Sequence, residues 1–249
     1  MLNPHPGAAY GWRARIGLLQ PTMVSDTNPY EFYLMAPEGV QMVLTSLGIR
    51  GVGSRRQEYA DAMEHIEEPI RRVLSRGVDA IVQAGVPPIV TRGWGYEAEL
   101  LARVRTITDV PFDTDVSACI AGFQALGVAR VAVLASESML DGMADYFTAA
   151  GIEVVASSTA RPGGGEDPSA DSLSVAFQGS VALKRAASRA QGIYIPGANR
   201  PTVGMLATLE AQLGIPVVSS AQAIMWRGLQ LAGVDPKPVT GYGRLFQAG

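Results

Sequence analysis

The sequence predicts an α/β protein built from two duplicated, doubly wound lobes with parallel sheets, related by a pseudo-two-fold axis. Three observations carry that expectation. First, the chain repeats itself roughly 115 residues on: Ala14-Arg15-Ile16-Gly17-Leu18-Leu19 returns as Ala129-Arg130-Val131-Ala132-Val133-Leu134, and Val78-Asp79-Ala80-Ile81-Val82-Gln83-Ala84-Gly85 as Ala190-Gln191-Gly192-Ile193-Tyr194-Ile195-Pro196-Gly197. Solenoid repeats recur every 20–50 residues or so, which makes this a pair of half-molecules rather than an array. Second, short runs of branched apolar residues alternate with longer helical patterns, the signature of parallel strands joined by crossover helices. Third, 249 residues of which 47% are hydrophobic supply enough apolar material for two cores.

Taken in order, strands are expected near 14–19, 41–48, 78–84, 109–112, 130–135, 152–156, 191–196 and 216–218, where β-branched residues cluster between turn signals. Helices are expected over 29–36, 55–76, 95–107, 116–126, 138–150, 170–188, 201–213 and 220–232. Pro69 falls inside the second of these and should kink or divide it, because proline lacks the N–H that a helix interior needs. The run Arg161-Pro162-Gly163-Gly164-Gly165-Glu166-Asp167-Pro168 lacks the Lys-Ser/Thr that follows a phosphate-gripping loop and reads as a surface loop. The tail from Val234 onward has no counterpart in the first copy and is expected to pack back across it. The lobes are therefore placed at 1–115, completed by 220–249, and at 116–219.

Charge and cysteine content exclude several functions. Twenty basic and 23 acidic residues give a net charge of −3, and they form no basic stripe, which argues against a nucleic-acid partner. No apolar run reaches the ~18–20 residues that span a bilayer, and the N-terminus carries no signal-like core, so no membrane partner and a cytoplasmic location are expected. One cysteine and two histidines rule out an internal disulfide framework, a cysteine metal cluster and a histidine-centred triad. A homo-oligomer remains compatible with the sequence.

Individual motifs each have a plain reading beside the chemical one. Gly93-Trp94-Gly95-Tyr96-Glu97-Ala98 matches a dinucleotide fingerprint in letters only. That motif must follow its strand directly, whereas Pro87 and Pro88 intervene here, so it reads as a loop entering a helix. Cys119 lies among small apolar residues, where a buried thiol acts as a small hydrophobe. Asp113 and Asp115 flank Thr114 after a strand; they can serve as acid–base groups, or Thr114 or Asp115 can cap the next helix. Gly85 and Gly197 occupy equivalent turns at the carboxyl ends of the repeated strands. Open α/β sheets bind ligands at such ends, which lifts these two above ordinary turn glycines.

Together, Ile16-Gly17-Leu18-Leu19-Gln20-Pro21, Glu58-Tyr59, Gly93-Trp94-Gly95-Tyr96, Pro216-Val217-Val218-Ser219-Ser220 with Trp226, and Gly241-Tyr242-Gly243-Arg244-Leu245-Phe246 make the chain resemble the aspartate/glutamate racemase superfamily. The resemblance is to its branch of arylmalonate decarboxylases and maleate cis–trans isomerases, and it spans nearly the whole length. It implies one catalytic position after the middle strand of each half. Racemases and the isomerase use cysteine at both; the decarboxylase keeps only the second, which protonates an enediolate after carbon dioxide departs. Those positions fall on Gly85 and Gly197, so neither thiol is present and a two-cysteine mechanism cannot run.

The resemblance further implies a carboxylate cradle at Pro21, Thr22, Val86, Pro87, Ala198 and Asn199. Arg200, just beyond it, reads either as a second, charge-assisted carboxylate contact or as an exposed arginine at a helix start. The resemblance also implies Tyr59, its phenol titrating near 10, as a proton donor, with Asp115 or ordered water as the other sources. The expected activity is cofactor-independent lyase chemistry on a small carboxylic acid, most like decarboxylation of a malonate- or dicarboxylate-type substrate. The alternatives are maleate-type isomerisation, hydration or other enolate chemistry without cysteine, or acid binding without catalysis. No cofactor and no metal are expected.

Overall fold

The computed structural model describes residues 5–50, 56–135, 140, 142–159, 173–197 and 199–248. The first half forms a four-stranded parallel sheet from β1 (Ala14–Thr22), β2 (Val40–Ile49), β3 (Ala80–Gln83) and β4 (Phe112–Thr114), in the order β2-β1-β3-β4. The second half repeats it strand for strand with β5 (Arg130–Ala135), β6 (Glu153–Thr159), β7 (Gly192–Ile195) and β8 (Val217–Ser219), in the order β6-β5-β7-β8. The two-lobed α/β fold is as the duplication predicts. In each sheet the central strands, β1 with β3 and β5 with β7, are almost wholly buried, as strands covered by helices on both faces must be.

The helices are α1 (Thr27–Met35), α2 (Arg56–Glu64), α3 (Glu67–Leu74), α4 (Pro87–Val90), α5 (Tyr96–Arg105), α6 (Asp115–Ala125), α7 (Met143–Ala149), α8 (Leu173–Ala186), α9 (Leu206–Leu213) and α10 (Ser220–Leu231). The long helix expected over 55–76 is two helices, α2 and α3. The break falls at His65–Ile66, and Pro69 sits in the first turn of α3, where its missing N–H costs nothing. The short α4 lies where Pro87 and Pro88 suggested only a loop. It separates the Gly93-Trp94-Gly95 turn from β3, and Gly95, at φ 99°, begins α5. The last strand of the first sheet begins three residues later than expected and ends two later, so Asp113 lies within it. The glycine-rich run at 161–168 lies outside the described residues.

Two helices change sides. The Phe123 ring on α6 meets Tyr194 of β7 edge-on at 6.0 Å between centroids, with Phe147 of α7 stacked on the same tyrosine at 5.3 Å. Conversely, Gly228 of α10 lets that helix close down on Ile16 of β1, whose side chain would stand 3.1 Å from an added Cβ. The α6 and α10 helices also pack on each other and so form the spine between the sheets. The C-terminal tail fastens to three places. Tyr242 donates to Leu34 O of α1 at 2.6 Å, Leu245 fills the space beside Gly122 of α6, and the Arg244 N–H reaches Glu210 of α9 at 2.8 Å. Among the described residues no helix is long and apolar enough to cross a membrane, and no group of three His, Cys, Asp or Glu is placed to hold a metal.

Candidate functional site

Each half turns at a glycine two residues beyond its middle strand. Gly85 follows β3 at φ 94° and Gly197 follows β7 at φ 104°, in the left-handed region that a side chain rarely tolerates. At Gly85 there is a second reason: an added Cβ would lie 2.4 Å from Pro21 Cγ at the end of β1.

The turns are held by the spine helices in the same way. Thr114 caps α6, its hydroxyl accepting the Ser117 N–H at 3.1 Å, and Ser219 caps α10, accepting the Gln222 N–H at 3.4 Å. The first residue of each helix then takes the amide of a glycine turn. Asp115 Oδ2 accepts the Gly85 N–H at 3.0 Å, and Ser220 Oγ accepts the Gly197 N–H at 3.1 Å. Asp115 and Ser220 are thus counterparts across the duplication, and both turns converge on one buried cluster between the lobes.

That cluster is fully buried. Asp115, Ser220 and Tyr194 have no exposed surface, nor does Cys119. Burial pushes the Asp115 carboxyl up to about 6, against the Ser220 hydroxyl, the Gly85 N–H and the Cys119 thiol, which favour its charged form. Cys119 Sγ contacts Asp115 Oδ1 at 3.4 Å; burial first, then the Asp115 charge, drives the thiol far up. Burial likewise drives up the Tyr194 phenol, with the Cys119 and Asp115 charges adding to it. A thiol in that setting is protonated and inert.

On the solvent side, the strand ends of the two lobes meet. Asn199 Nδ2 donates to Thr22 Oγ1 at 3.1 Å, while Asn199 Oδ1 accepts from Gln20 Nε2 at 3.0 Å and Ser25 Oγ at 2.5 Å. Gln20 is fixed in turn by Asn28 Nδ2 at 2.7 Å. Thr22, Pro21, Gly85, Gly197 and Asn199 are therefore gathered at one place. The Arg200 N–H bonds to Gly197 O at 3.1 Å, and its guanidinium reaches Leu134 O near the end of β5 at 3.5 Å. Val86 and Pro87 are buried at the start of α4. Ala198 lies outside the described residues. Tyr59 is half-buried on α2, and among the described residues no hydrogen bond joins its phenol to this group. Burial, then the Glu58 charge, raises its pKa above the ordinary value assumed from sequence, making it a weaker acid.

Two carboxylates that the sequence reading did not single out complete the arrangement. Glu31 on α1, 4% exposed, accepts the N–H groups of Thr202 at 2.5 Å and Val203 at 2.9 Å and the Thr202 hydroxyl at 3.2 Å. Glu97 on α5 accepts the hydroxyl of Thr114, and that of Tyr146 on α7 at 2.5 Å. Burial raises both acids and their hydrogen bonds oppose it. A signal for Glu31 existed: Asn28, Glu31, Phe32 and Met35 follow the i, i+3, i+4, i+7 spacing of one helix face, and all four are buried. Asp113, the remaining candidate from sequence, pairs with Arg227 of α10 at 2.5 Å, which makes it part of the spine rather than of the site.

Comparison with known proteins agrees with this geometry. An arylmalonate decarboxylase from Bordetella bronchiseptica is 29% identical over 199 residues, covering 79% of this chain and 83% of that protein. A crystal structure of arylmalonate decarboxylase superposes with a TM-score of 0.79 at 26% identity, covering 94% of this chain and 99% of the other. A maleate isomerase variant from Pseudomonas putida S16, solved with maleate, shares the fold with a TM-score of 0.78 at 23% identity, covering 95% and 98%. The family model described as arylmalonate decarboxylase matches residues 16–246. With nearly the whole length matched, the chain belongs to the arylmalonate decarboxylase family.

Proposed function

We propose that this chain is a cofactor-independent lyase that decarboxylates a small malonate- or dicarboxylate-type acid through an enediolate. The observation that carries the proposal is the meeting of the two lobes at Thr22 and Asn199, directly beside the glycine turns that α6 and α10 hold in register. The relatives whose names give their substrates act on arylmalonate and maleate, both small carboxylic acids.

In this reading Thr22, Asn199 and Arg200, with the amide N–H groups of Val86 and Ala198, hold one carboxylate, and Pro21 and Pro87, which have no N–H, only shape the cradle. The carbon–carbon bond to the other carboxylate breaks and carbon dioxide leaves. The bonding pair moves onto the retained carboxylate, where fixed polar hydrogens stabilise it as the enediolate. A proton then closes the reaction at the α-carbon. With glycine at both turns no thiol supplies it, so Tyr59 or a water between the turns does. Asp115 is fully buried and acts on the Gly85 turn, not on the substrate. We also take residues 1–115 with 220–249, and 116–219, as the two folding lobes, supported by the exchanged packing of α6 and α10.

Incubation with an arylmalonate in D2O tests the proposal. The expected product is the monoacid with one deuterium at the α-carbon, formed with release of carbon dioxide and slowed at least tenfold by Asn199→Ala. Maleate and a hydroxylated dicarboxylate run alongside report isomerase or hydratase chemistry instead. An acid that raises the melting temperature yet is never turned over points to a binding protein and sinks the enzyme reading.

A further inference from the structure

Glu31 is attached to the wrong lobe for the job it does. It belongs to α1, which follows the first strand of the first sheet, yet its carboxylate grips two consecutive amides at the start of a 3-10 turn, Val203–Met205, in the second half. The Thr202 hydroxyl, which reaches Glu31 at 3.2 Å, lies 3.0 Å from Ser219 Oγ, the cap of α10. The next residue, Ser220, takes the Gly197 amide. One buried side chain is therefore tied to both ends of the segment that carries Asn199: directly at 202–203, and through Thr202 and Ser219 to the helix that holds Gly197. The opposite lobe has a matching reach, in which Tyr146 of α7 donates to Glu97 and Glu97 accepts from the cap Thr114. In that copy the carboxylate sits in the middle of the relay instead of at its end, and it grips hydroxyls rather than loop amides.

We propose that Glu31 is a positioning residue that fixes Asn199–Val203 from across the lobe boundary and so sets the Asn199 amide against Thr22 at the mouth of the site. That Asn199 then contacts the acid rests on the function proposed above. A carboxylate suits the task because it is acceptor-only and can take both N–H groups at once. Both N–H groups meet one oxygen, Oε1, and the Thr202 hydroxyl meets Oε2. A glutamine keeps a single neutral acceptor for the two amides and turns its NH2 towards the hydroxyl, so the charge that strengthens both amide hydrogen bonds is lost.

Glu31→Gln separates positioning from simple stapling of the lobes. Amide hydrogen exchange is followed by mass spectrometry or NMR in the whole chain, and binding or turnover of an arylmalonate and of maleate is measured in parallel. Exchange through Asn199–Val203 is expected to quicken about threefold to tenfold, the difference between charged and neutral hydrogen bonds, while β5 and β7 keep their protection. Acid affinity or kcat/KM should fall by a similar factor, and Asn199→Ala added to Glu31→Gln should cost little more, since both act on one contact. Unchanged exchange through 199–203 overturns the inference, as does fast exchange with undiminished affinity. If the unaltered chain neither binds nor converts any acid, the functional reading fails and the exchange pattern alone judges Glu31. Should Glu31→Gln not fold, Thr202→Val cuts only the hydroxyl link. It is expected to quicken exchange about threefold to tenfold, on the scale of one neutral hydrogen bond, and no change there refutes the proposal.

Discussion

Replacing Gly85 by alanine perturbs the point where the first strand, the third strand and the spine helix meet, and the structure supplies each part of the expected cost. The left-handed backbone at φ 94° costs a residue with a Cβ about 1–2 kcal/mol. The new methyl would also lie 2.4 Å from Pro21 Cγ, and forcing an atom into packed space costs about 1–3 kcal/mol. Together these give a destabilisation of roughly 2–5 kcal/mol, and for a chain of this size each kcal/mol lowers the melting temperature by about 2–4 °C. A drop of roughly 4–20 °C follows, measurable by calorimetry or by chemical denaturation with an unchanged m-value. Gly127→Ala is the internal control: its φ is 68°, yet nothing stands within 4 Å of the added Cβ, so only the backbone part should appear. Adding Pro21→Ala to Gly85→Ala should recover the steric part and leave the backbone part, because the next contact, Pro21 Cβ, is at an ordinary 3.5 Å. If Gly85→Ala costs no more than Gly127→Ala, the close approach of Pro21 to the turn is wrong, and so is the account of why no side chain stands at this position.

Further tests address the buried cluster and the spine. Asp115 has a folded-state pKa of about 6 against 3.8 for the free side chain, so its contribution to stability is fully present below pH 3.8 and is lost as the pH rises through 6. That loss is worth roughly 3 kcal/mol at order-of-magnitude level, and Asp115→Asn should flatten the decline between about pH 4 and 7.5 in denaturation curves; an equally steep decline in the variant removes Asp115 as its source. Cys119, fully buried with its thiol pKa driven up, should resist iodoacetamide at pH 8 until the chain is unfolded, and Cys119→Ala should keep full activity; rapid labelling of the folded protein contradicts this burial. Arg227→Ala leaves the carboxylate of Asp113, whose side chain is 9% exposed, without its partner and should cost about 3 kcal/mol, visible in the midpoint of urea unfolding; a shift under 1 kcal/mol would mean that water replaces the guanidinium freely. Tyr59→Phe should leave acid affinity unchanged and lower only kcat if the phenol gives the proton, and should change neither if water does.

The duplication and the alternation of patterns were enough to determine the fold. Residues such as Ile16, Leu18, Val131 and Val133 recur at the register that buries them, and that information is local and periodic. The sequence also identified the two glycine turns, because equivalent positions in a repeat survive divergence where the chain needs a positive φ. It could not show that Asp115, named as an acid, is taken up by the Gly85 amide, nor that Thr22 and Gln20 from the other lobe hold the Asn199 side chain in place. It passed over Glu31 and Glu97 and over the short helix at Pro87-Pro88, and the division it expected around Pro69 falls a few residues earlier, at His65–Ile66. The physical reason is range. Periodicity reports which face of an element is buried, whereas a carboxylate on α1 meeting an amide 171 residues away depends on how the two sheets are set against each other, and on α6 and α10 crossing between them. Only the tertiary structure brings such partners within hydrogen-bonding distance.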